Sequence, residues 1–340
     1  MVFGCKNKAD TEVRFVKDLQ RGEVSMSRKN FLVAGLGLAA FISTGVAFAA
    51  EPDSCKAVHF ADVGWTDITL NTATASFILE ALGYTPDVQV LSVPVTYTSL
   101  KSKDIDVFLG NWMPTMEADI KPYLDDKSVE DIRVNLEGAK FTLAVPSYTY
   151  DEGLKSFQDI AKFKDKLGNK IYGTEAGNDG NRLILDMIAN NTFDLSGFEL
   201  VESSEAGMLA AVQKAVSSKQ DVVFFGWEPH PMNAAIDMKY LEGGDDIFGP
   251  DYGGATVHTN VRAGYLDECA NVGTFLKNLV FSLKMENEIM GAILNDGAEP
   301  KAAATAWLKA NPDAITPWLS GVTTFDGGDA AAAVKSALGQ

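Results

Sequence analysis

The stretch Val58–Asp67, VHFADVGWTD, places a run of apolar residues before a glycine, a tryptophan and then polar residues. The same order recurs at Asp106–Pro114 (DVFLGNWMP) and at Asp221–Pro229 (DVVFFGWEP). Each apolar run is short and bounded by a glycine, which is typical of a strand buried in a sheet. The three stretches therefore predict three equivalent strand ends.

In this interpretation each strand ends at its glycine, and the tryptophan lies just past the end. The glycines are Gly64, Gly110 and Gly226, and the tryptophans are Trp65, Trp112 and Trp227. Ligands of open α/β sheets bind outside the carboxyl ends of the strands, so the pattern predicts a cage of ring faces. Such a cage suits a cation without hydrogen-bond donors, above all a quaternary ammonium. The alternative for any one tryptophan is an ordinary core position, but three copies of one arrangement favour the cage.

Between these stretches, predicted strands alternate with predicted helices, which indicates an α/β fold with a doubly wound parallel sheet. Strands are expected at 58–63, 88–93, 105–109, 141–145, 170–172, 199–201, 222–225 and 256–261. Helices are expected at 66–82, 95–103, 115–124, 157–166, 183–190, 203–217, 272–283, 286–295 and 301–310. The last helices are expected to bury Trp307 and Trp318 in the core.

Two segments predict crossovers between two lobes. Leu136–Lys140 (LEGAK) lies between predicted elements, and Gly243–Gly254 has five glycines and a proline in twelve residues, which is typical of a linker. Residues 50–137 and 250–340 would then form a discontinuous lobe I, and residues 138–249 would form lobe II. A hinge of this kind would bring two tryptophans from one lobe against the third from the other.

The N-terminus predicts a secretory signal peptide. A basic segment at Met26–Asn30 precedes a sixteen-residue apolar segment, Phe31–Val46, and Ala47–Ala49 fits the small-x-small rule for cleavage. Residues 1–49 are therefore expected to be an extension plus a cleaved signal peptide, and Met26 is an alternative start. An uncleaved N-terminal anchor is the other interpretation.

The cysteine count predicts one disulfide. Cleavage would remove Cys5 and leave Cys55 and Cys269, an even number in an oxidising compartment. The bridge would close a loop of 214 residues, for which the chain-entropy model gives roughly 5 kcal/mol. It also requires the start of the mature chain to lie beside the 260s.

Charge and motifs exclude several classes of function. The net charge is −17, and beyond residue 49 the chain has 22 basic against 42 acidic side chains. This acidity argues against nucleic acid or an anionic membrane as a partner. His59, His230 and His258 have no metal-ligand spacing, and the chain has no nucleophile elbow or phosphate-binding glycine loop.

Two polar residues near the predicted cage have more than one interpretation. Asp67, two residues after Trp65, could supply a negative charge and accept a hydrogen bond, or could simply be an acidic residue at a helix N-terminus. Asn178, in the loop GNDGN, is also an ordinary turn residue, and spacing alone does not single it out.

From about Cys55 onward the chain resembles the periplasmic choline-binding proteins of ABC importers, within the wider glycine betaine, choline and proline betaine class. The segments that carry the resemblance are DVGWTDIT, SVPVTYTSLKSKDIDVFLGNWMPTME, GNDGNRLI, GWEPHPMN and GGATVHTNVRAGY. The resemblance implies a periplasmic binding protein-like fold, two doubly wound α/β lobes joined by two hinge crossovers, with choline between the lobes. It also implies a monomer that delivers choline to an ABC permease in the inner membrane, with no cofactor, no metal and no enzymatic activity.

The resemblance also assigns roles to residues. Trp65, Trp112 and Trp227 would form the box around the trimethylammonium group, and Asp67 and Asn178 would hold the hydroxyl. Cys55 and Cys269 match the disulfide pair of these relatives. Where they carry a tyrosine as the fourth wall, this chain has Phe141, which keeps the ring face and loses the hydroxyl.

Two rival functions remain at this stage. A glycine betaine or proline betaine receptor would need hydrogen-bond donors for a carboxylate, which Asp67 would repel. A secreted choline-ester hydrolase would use His230 as its base, although a structural role for that histidine is the simpler interpretation.

Overall fold

The computed structural model describes residues 51–340. The predicted extension, the signal peptide and Cys5 lie outside the described residues. Within the described part, no helix is both long enough and apolar enough to cross a membrane.

The described chain alternates strands and helices over most of its length. The strands are β1 (Ala57–Asp62), β2 (Thr85–Val90), β3 (Val107–Met113), β4 (Val129–Pro146), β5 (Lys170–Tyr172), β6 (Glu199–Val201), β7 (Phe224–Glu228), β8 (Met238–Tyr240) and β9 (Gly254–Arg262). The helices are α1 (Thr66–Ala81), α2 (Val93–Ser102), α3 (Glu117–Asp125), α4 (Ser147–Asp151), α5 (Asp179–Ala189), α6 (Glu205–Ser217), α7 (Met232–Ala235), α8 (Asp245–Phe248), α9 (Pro250–Gly253), α10 (Tyr265–Glu268), α11 (Ala270–Asn278), α12 (Leu283–Leu294), α13 (Pro300–Ala310), α14 (Ile315–Trp318) and α15 (Ala330–Ala337). Short 3₁₀ helices lie at Asp53–Cys55, Phe157–Phe163, Thr192–Asp194 and Pro312–Ala314.

One sheet runs through the described chain in the order β2-β1-β3-β9-β4-β7-β5-β6, with β8 paired to β4. At one end β1 pairs in parallel with β2 and β3, and at the other end β5 pairs in parallel with β6 and β7. The pairs β3–β9, β4–β9 and β4–β7 in the middle are antiparallel. The α/β class is confirmed, and the expected parallel pairing holds at both ends of the sheet but not in its centre.

The two segments predicted as crossovers lie within or directly before the strands of the central antiparallel pair, β4 and β9. The predicted crossover Leu136–Lys140 is not a loop, because it lies inside the eighteen-residue strand β4. The register between β4 and β9 shifts between Leu136 and Ala139, and Gly138 takes a positive φ of 76° there, so a bulge absorbs the glycine without ending the strand. The predicted linker Gly243–Gly254 contains the single-turn helices α8 and α9 before β9 begins.

Several element boundaries differ from the sequence-based expectation. Val93 is the first residue of α2 and not the end of a strand, because Pro94 at the second position favours a helix start. The helix expected at 183–190 begins four residues earlier, at Asp179, since Asn178 caps α5 with its side chain. The helix expected at 203–217 begins at Glu205, because the hydroxyl of the N-cap residue Ser204 accepts a hydrogen bond from the Gly207 N–H at 3.1 Å.

The predicted disulfide is present. Cys55 and Cys269 are bonded, with their Cα atoms 5.5 Å apart and both residues buried. The bridge fixes the residues just before β1 to the residues between α10 and α11. Of the two C-terminal tryptophans, Trp318 is buried as expected, whereas Trp307 is half-buried and packs against the edge of the core.

Candidate ligand-binding site

One cavity brings together every ligand-binding residue predicted from the sequence. The space between its walls, part of which is open to solvent, measures about 380 Å³. The residues that line it are Trp65, Asp67, Trp112, Phe141, Thr174, Asn178, Asp179, Glu205 and Trp227. Residues more than 160 positions apart in the chain therefore line one cavity.

The strand pattern that located the tryptophans is right for only one of the three. Trp65 follows β1 and Gly64, which has a positive φ of 81°, and it is the N-cap residue of α1. Trp112 lies inside β3 and Trp227 inside β7, each one residue before its strand ends. The expectation that these two strands end at a glycine is therefore wrong.

The two glycines inside strands serve close packing and not a turn. A Cβ on Gly110 would lie 2.8 Å from the Ile68 side chain, and a Cβ on Gly226 would lie 2.8 Å from the Tyr240 ring. No side chain larger than hydrogen fits at such distances. The glycines thus bring neighbouring side chains against the strand beside each tryptophan.

Three aromatic rings form adjacent walls of the cavity. The centroid of the Phe141 ring lies 6.2 Å from that of Trp112 and 6.5 Å from that of Trp227, and both pairs meet edge to face. Phe225 and Phe248 pack against Phe141 at 4.9 Å and 6.1 Å. Because both of these supporting rings are fully buried, Phe141 is held firmly in its position.

Two of the indole N–H groups are bound by carboxylates. The Trp65 Nε1 donates to Glu175 Oε1 at 2.8 Å, and the Trp112 Nε1 donates to Asp67 Oδ2 at 3.1 Å. Both rings are almost completely buried. The hydrogen-bonding edge of each indole is therefore satisfied within the protein, and what remains for a ligand is its apolar face.

Three carboxyl groups line the same cavity, each in the first turn of a helix. Burial, together with the charge of Glu205, raises the pKa of Asp67 to about 7. Burial also raises the pKa of Asp179 to about 6. Burial acts in the same direction on Glu205, but hydrogen bonds from His230 and Thr66 outweigh it and lower the pKa of that carboxyl. The site is therefore rich in negative charge at neutral pH, and no lysine, arginine or histidine is among its lining residues.

The alternatives left open for Asp67 and Asn178 are not exclusive in the structure. Asp67 is in the first turn of α1 and also lines the cavity. The Asn178 Oδ1 accepts a hydrogen bond from the Asn181 N–H, while its Nδ2 donates to Glu175 Oε1 at 3.3 Å. Each residue thus combines a local role at a helix N-terminus with a place on the wall of the site.

The sequence did not point to Thr174, Asp179 or Glu205. Asp179 directly follows Asn178, to which only the family resemblance assigns a role, and spacing alone indicates neither residue. Glu205 follows Ser204 in an ordinary N-cap pattern, and nothing local indicates that it reaches a cavity.

His230 is placed as a structural histidine. Its Nε2 lies 3.2 Å from Glu205 Oε1, and its Nδ1 accepts a hydrogen bond from the Met232 N–H at 2.9 Å. With both nitrogens occupied and the ring buried, it is not free to act as a base. In residues 51–340, no group of three or more His, Cys, Asp or Glu side chains is arranged to hold a metal ion.

Comparison with known proteins agrees with this geometry. Residues 56–310 match the model of the OpuAC family, the substrate-binding domain of ABC-type glycine betaine transport systems. A solved structure of an ABC-transporter choline binding protein in complex with choline is 69% identical, covers 85% of this chain and 100% of its own, and superimposes with a TM-score of 0.84. A structure of an ABC-transporter choline binding protein in an unliganded semi-closed conformation has the same identity and coverage, with a TM-score of 0.79.

A curated relative is more distant. The glycine betaine/carnitine transport binding protein GbuC of Listeria monocytogenes is 32% identical over 168 residues, which are 48% of this chain and 55% of that protein. The match spans about half of the length of that relative, whereas the family model spans most of the described chain. The chain belongs to the family of substrate-binding domains of ABC-type glycine betaine transport systems.

Proposed function

We propose that this protein captures choline in the cavity described above and delivers it to an ABC permease. One observation carries the proposal: four aromatic rings and three carboxyl groups line a single buried space without a basic side chain among them. A quaternary ammonium presents a positive charge through methyl groups that donate no hydrogen bonds. Ring faces attract such a charge at roughly 2 kcal/mol each when desolvated.

The polar end of choline fits the remaining lining residues. Asp67 and Asn178 lie at the N-termini of α1 and α5 and face the same cavity. We assign to them the binding of the hydroxyl group, with Trp65, Trp112, Phe141 and Trp227 around the trimethylammonium group. The 69% identical chain whose structure contains choline supports the same ligand.

Glycine betaine is the principal alternative, because the family model is named for it. Its carboxylate would enter a cavity that already holds Asp67, Asp179 and Glu205, and would have to be stabilised by donors that these acids do not supply. Choline carries no negative charge and avoids this repulsion. Members of this family are not enzymes, so hydrolysis of a choline ester by His230 is set aside.

Calorimetric titration with both ligands tests this choice. Choline is expected to bind at least about tenfold more tightly than glycine betaine. The betaine carboxylate would lie close to the carboxyl groups of the site, and one such repulsive contact costs at least about 1.4 kcal/mol. Tetramethylammonium serves as the control ligand, since it has the cation without the hydroxyl and should fall below choline. Tighter binding of glycine betaine than of choline would overturn the assignment.

A second test concerns the support behind the Phe141 wall. A Cβ on Gly180 in α5 would lie 2.6 Å from Phe141 Cζ and 2.8 Å from Phe225 Cζ. Gly180→Ala is therefore expected to push the Phe141 ring out of place and to weaken choline binding about tenfold, in keeping with the usual cost of overpacking.

The matched control for this substitution is Gly291→Ala in α12, where the nearest atom to an added Cβ is 3.9 Å away. That variant should keep native affinity in the same titration. If Gly180→Ala also bound choline as the native protein does, the proposed role of Phe141 as a wall would be wrong.

The proposed function includes a two-lobed arrangement in the periplasm. Lobe I, residues 50–137 and 250–340, would contribute Trp65, Asp67 and Trp112, and lobe II, residues 138–249, would contribute the other lining residues. The antiparallel strands β4 and β9 would then carry the hinge. We further propose that the chain acts as a monomer, secreted by means of its signal peptide and docking to a permease of the inner membrane.

A further inference from the structure

Helix α1 begins without a capping side chain of its own. Its N-cap residue is Trp65, which has no side-chain acceptor, so the first N–H groups of the helix need another partner. That partner is Glu205, which lies 139 residues further along the chain. Its Oε2 accepts from the Thr66 N–H at 2.9 Å, and its Oε1 accepts from the Thr66 hydroxyl at 2.7 Å.

The same carboxylate also reaches the opposite side of the cavity. Glu205 Oε1 lies 3.2 Å from His230 Nε2, and the His230 ring packs edge to face on Trp227 with centroids 4.7 Å apart. Glu205 is 6% exposed and His230 is 2% exposed. A continuous chain of contacts therefore joins the end of α1 that carries Trp65 and Asp67 to the wall formed by Trp227.

We propose that Glu205 is a positioning residue. Its hydrogen bonds to Thr66 hold the two halves of the ligand cage together when the cleft is closed. This inference rests on the proposed function, since closure is meaningful only around a ligand. Thr66 belongs to the predicted lobe I, whereas Glu205 and His230 belong to lobe II. Opening the cleft would remove the cap of α1 and take the two Thr66 donors away from the Glu205 carboxylate, so this contact stabilises the closed form only.

Other contacts between the two predicted lobes are less suited to this role. Glu175 accepts a hydrogen bond from the Trp65 Nε1 but does not line the cavity. Arg182 bonds to Asp119 and to the Thr115 carbonyl, but its side chain is 33% exposed, where water competes for the same groups. Glu205 forms its bonds in a buried position on the wall of the site itself. The Glu205–Thr66 contact therefore lies next to the proposed ligand, and its loss should raise the dissociation rate of choline.

The test uses Thr66, which does not line the cavity. Thr66→Val removes the hydroxyl donor with little change of shape, whereas Thr66→Ser keeps it. Thr66→Val is expected to raise the dissociation rate of choline about tenfold, the usual effect of losing a hydrogen bond to a charged group. The association rate should stay within about twofold, because diffusion into the open cleft does not use this contact. Stopped-flow tryptophan fluorescence measures both rates, and Thr66→Ser should restore the native dissociation rate.

A double-mutant cycle with Glu205→Ala, which removes both acceptor oxygens, separates the Glu205–Thr66 contact from general effects on folding. If the two residues act through one contact, the double variant should lose little beyond the larger single loss. Additive losses, or a native dissociation rate in Thr66→Val, would overturn the inference. Failure of the unaltered protein to bind choline would instead overturn the proposed function, so the two failures are distinguishable.

Discussion

Replacing Trp227 with alanine is expected to weaken choline binding by at least about 2 kcal/mol, or roughly 30-fold. The ring is 6% exposed and forms a wall between Phe141 and His230. Its removal takes away one desolvated ring face and opens the cavity to water, which also weakens the attraction of the remaining rings for the cation. Calorimetric titration of the purified variant with choline measures the loss.

Two variants make this expectation specific. Trp227→Phe keeps a smaller ring face and should lie between the native protein and the alanine variant. Trp307→Ala removes a half-buried tryptophan that is not part of the cavity, and it should leave the affinity for choline unchanged. Native affinity in Trp227→Ala would show that the cation is not held by the rings, and the proposed cage would fail.

The position of the site could be predicted from the sequence because each of the three tryptophans lies near the end of an apolar run that is typical of a buried strand. Trp112 and Trp227 were found from apolar runs that end near them, and both lie close to the ends of their strands. The reason assigned to Gly110 and Gly226 was wrong, since both glycines make room for neighbouring side chains. A glycine in an apolar run is compatible both with a turn of the backbone and with close packing of another side chain. The sequence alone does not distinguish the two.

The residues that the sequence missed are those whose role depends on distant parts of the chain. Glu205 caps a helix that begins 139 residues earlier, and its local pattern is that of an ordinary helix start. Only residues 141–145 of the strand β4 are predicted from the sequence, because the segment Leu136–Lys140 contains Gly138 and is interpreted as a crossover. Only the neighbouring strand β9, with its shifted register, explains why the strand continues through that glycine.

The electrostatics of the site connect ligand binding to pH. In the ligand-free protein, burial and the Glu205 charge raise the pKa of Asp67 from 3.8 to about 7, although the Trp112 N–H bond opposes this. Glu286 of α12, fully buried and bonded to Asn71, also has a raised pKa from burial and from the charge of Asp67. At neutral pH the site therefore holds part of the negative charge that a bound cation would need.

The raised pKa of Asp67 makes the stability of the protein and its affinity for a cation change in opposite directions with pH. Between pH 3.8 and about 7 the folded protein keeps a proton on Asp67 that the unfolded chain has released, so the contribution of Asp67 to stability falls as pH rises. A bound cation favours the ionised carboxylate and drives the proton off. Affinity for the cation should therefore rise over the same range in which the stability of the ligand-free protein falls.

Lowering the pH from 8 to 5 is accordingly expected to weaken choline binding by up to about 100-fold, since an acid with a pKa of about 7 is ionised in about 1% of molecules at pH 5. Choline keeps its charge throughout, so the change belongs to the protein.

At pH 7 binding should release about half a proton per choline, which titrations in buffers of different ionisation enthalpy measure. Asp67→Asn should bind more weakly at pH 8 and show a shallower profile, because the asparagine cannot ionise and only the pKa of Asp179, at about 6, still lies in this range. A native profile that is flat between pH 5 and 8, with no proton release, would mean that Asp67 is fully ionised before the ligand arrives. Asp67 would then carry its negative charge throughout this pH range, and choline binding would not depend on pH.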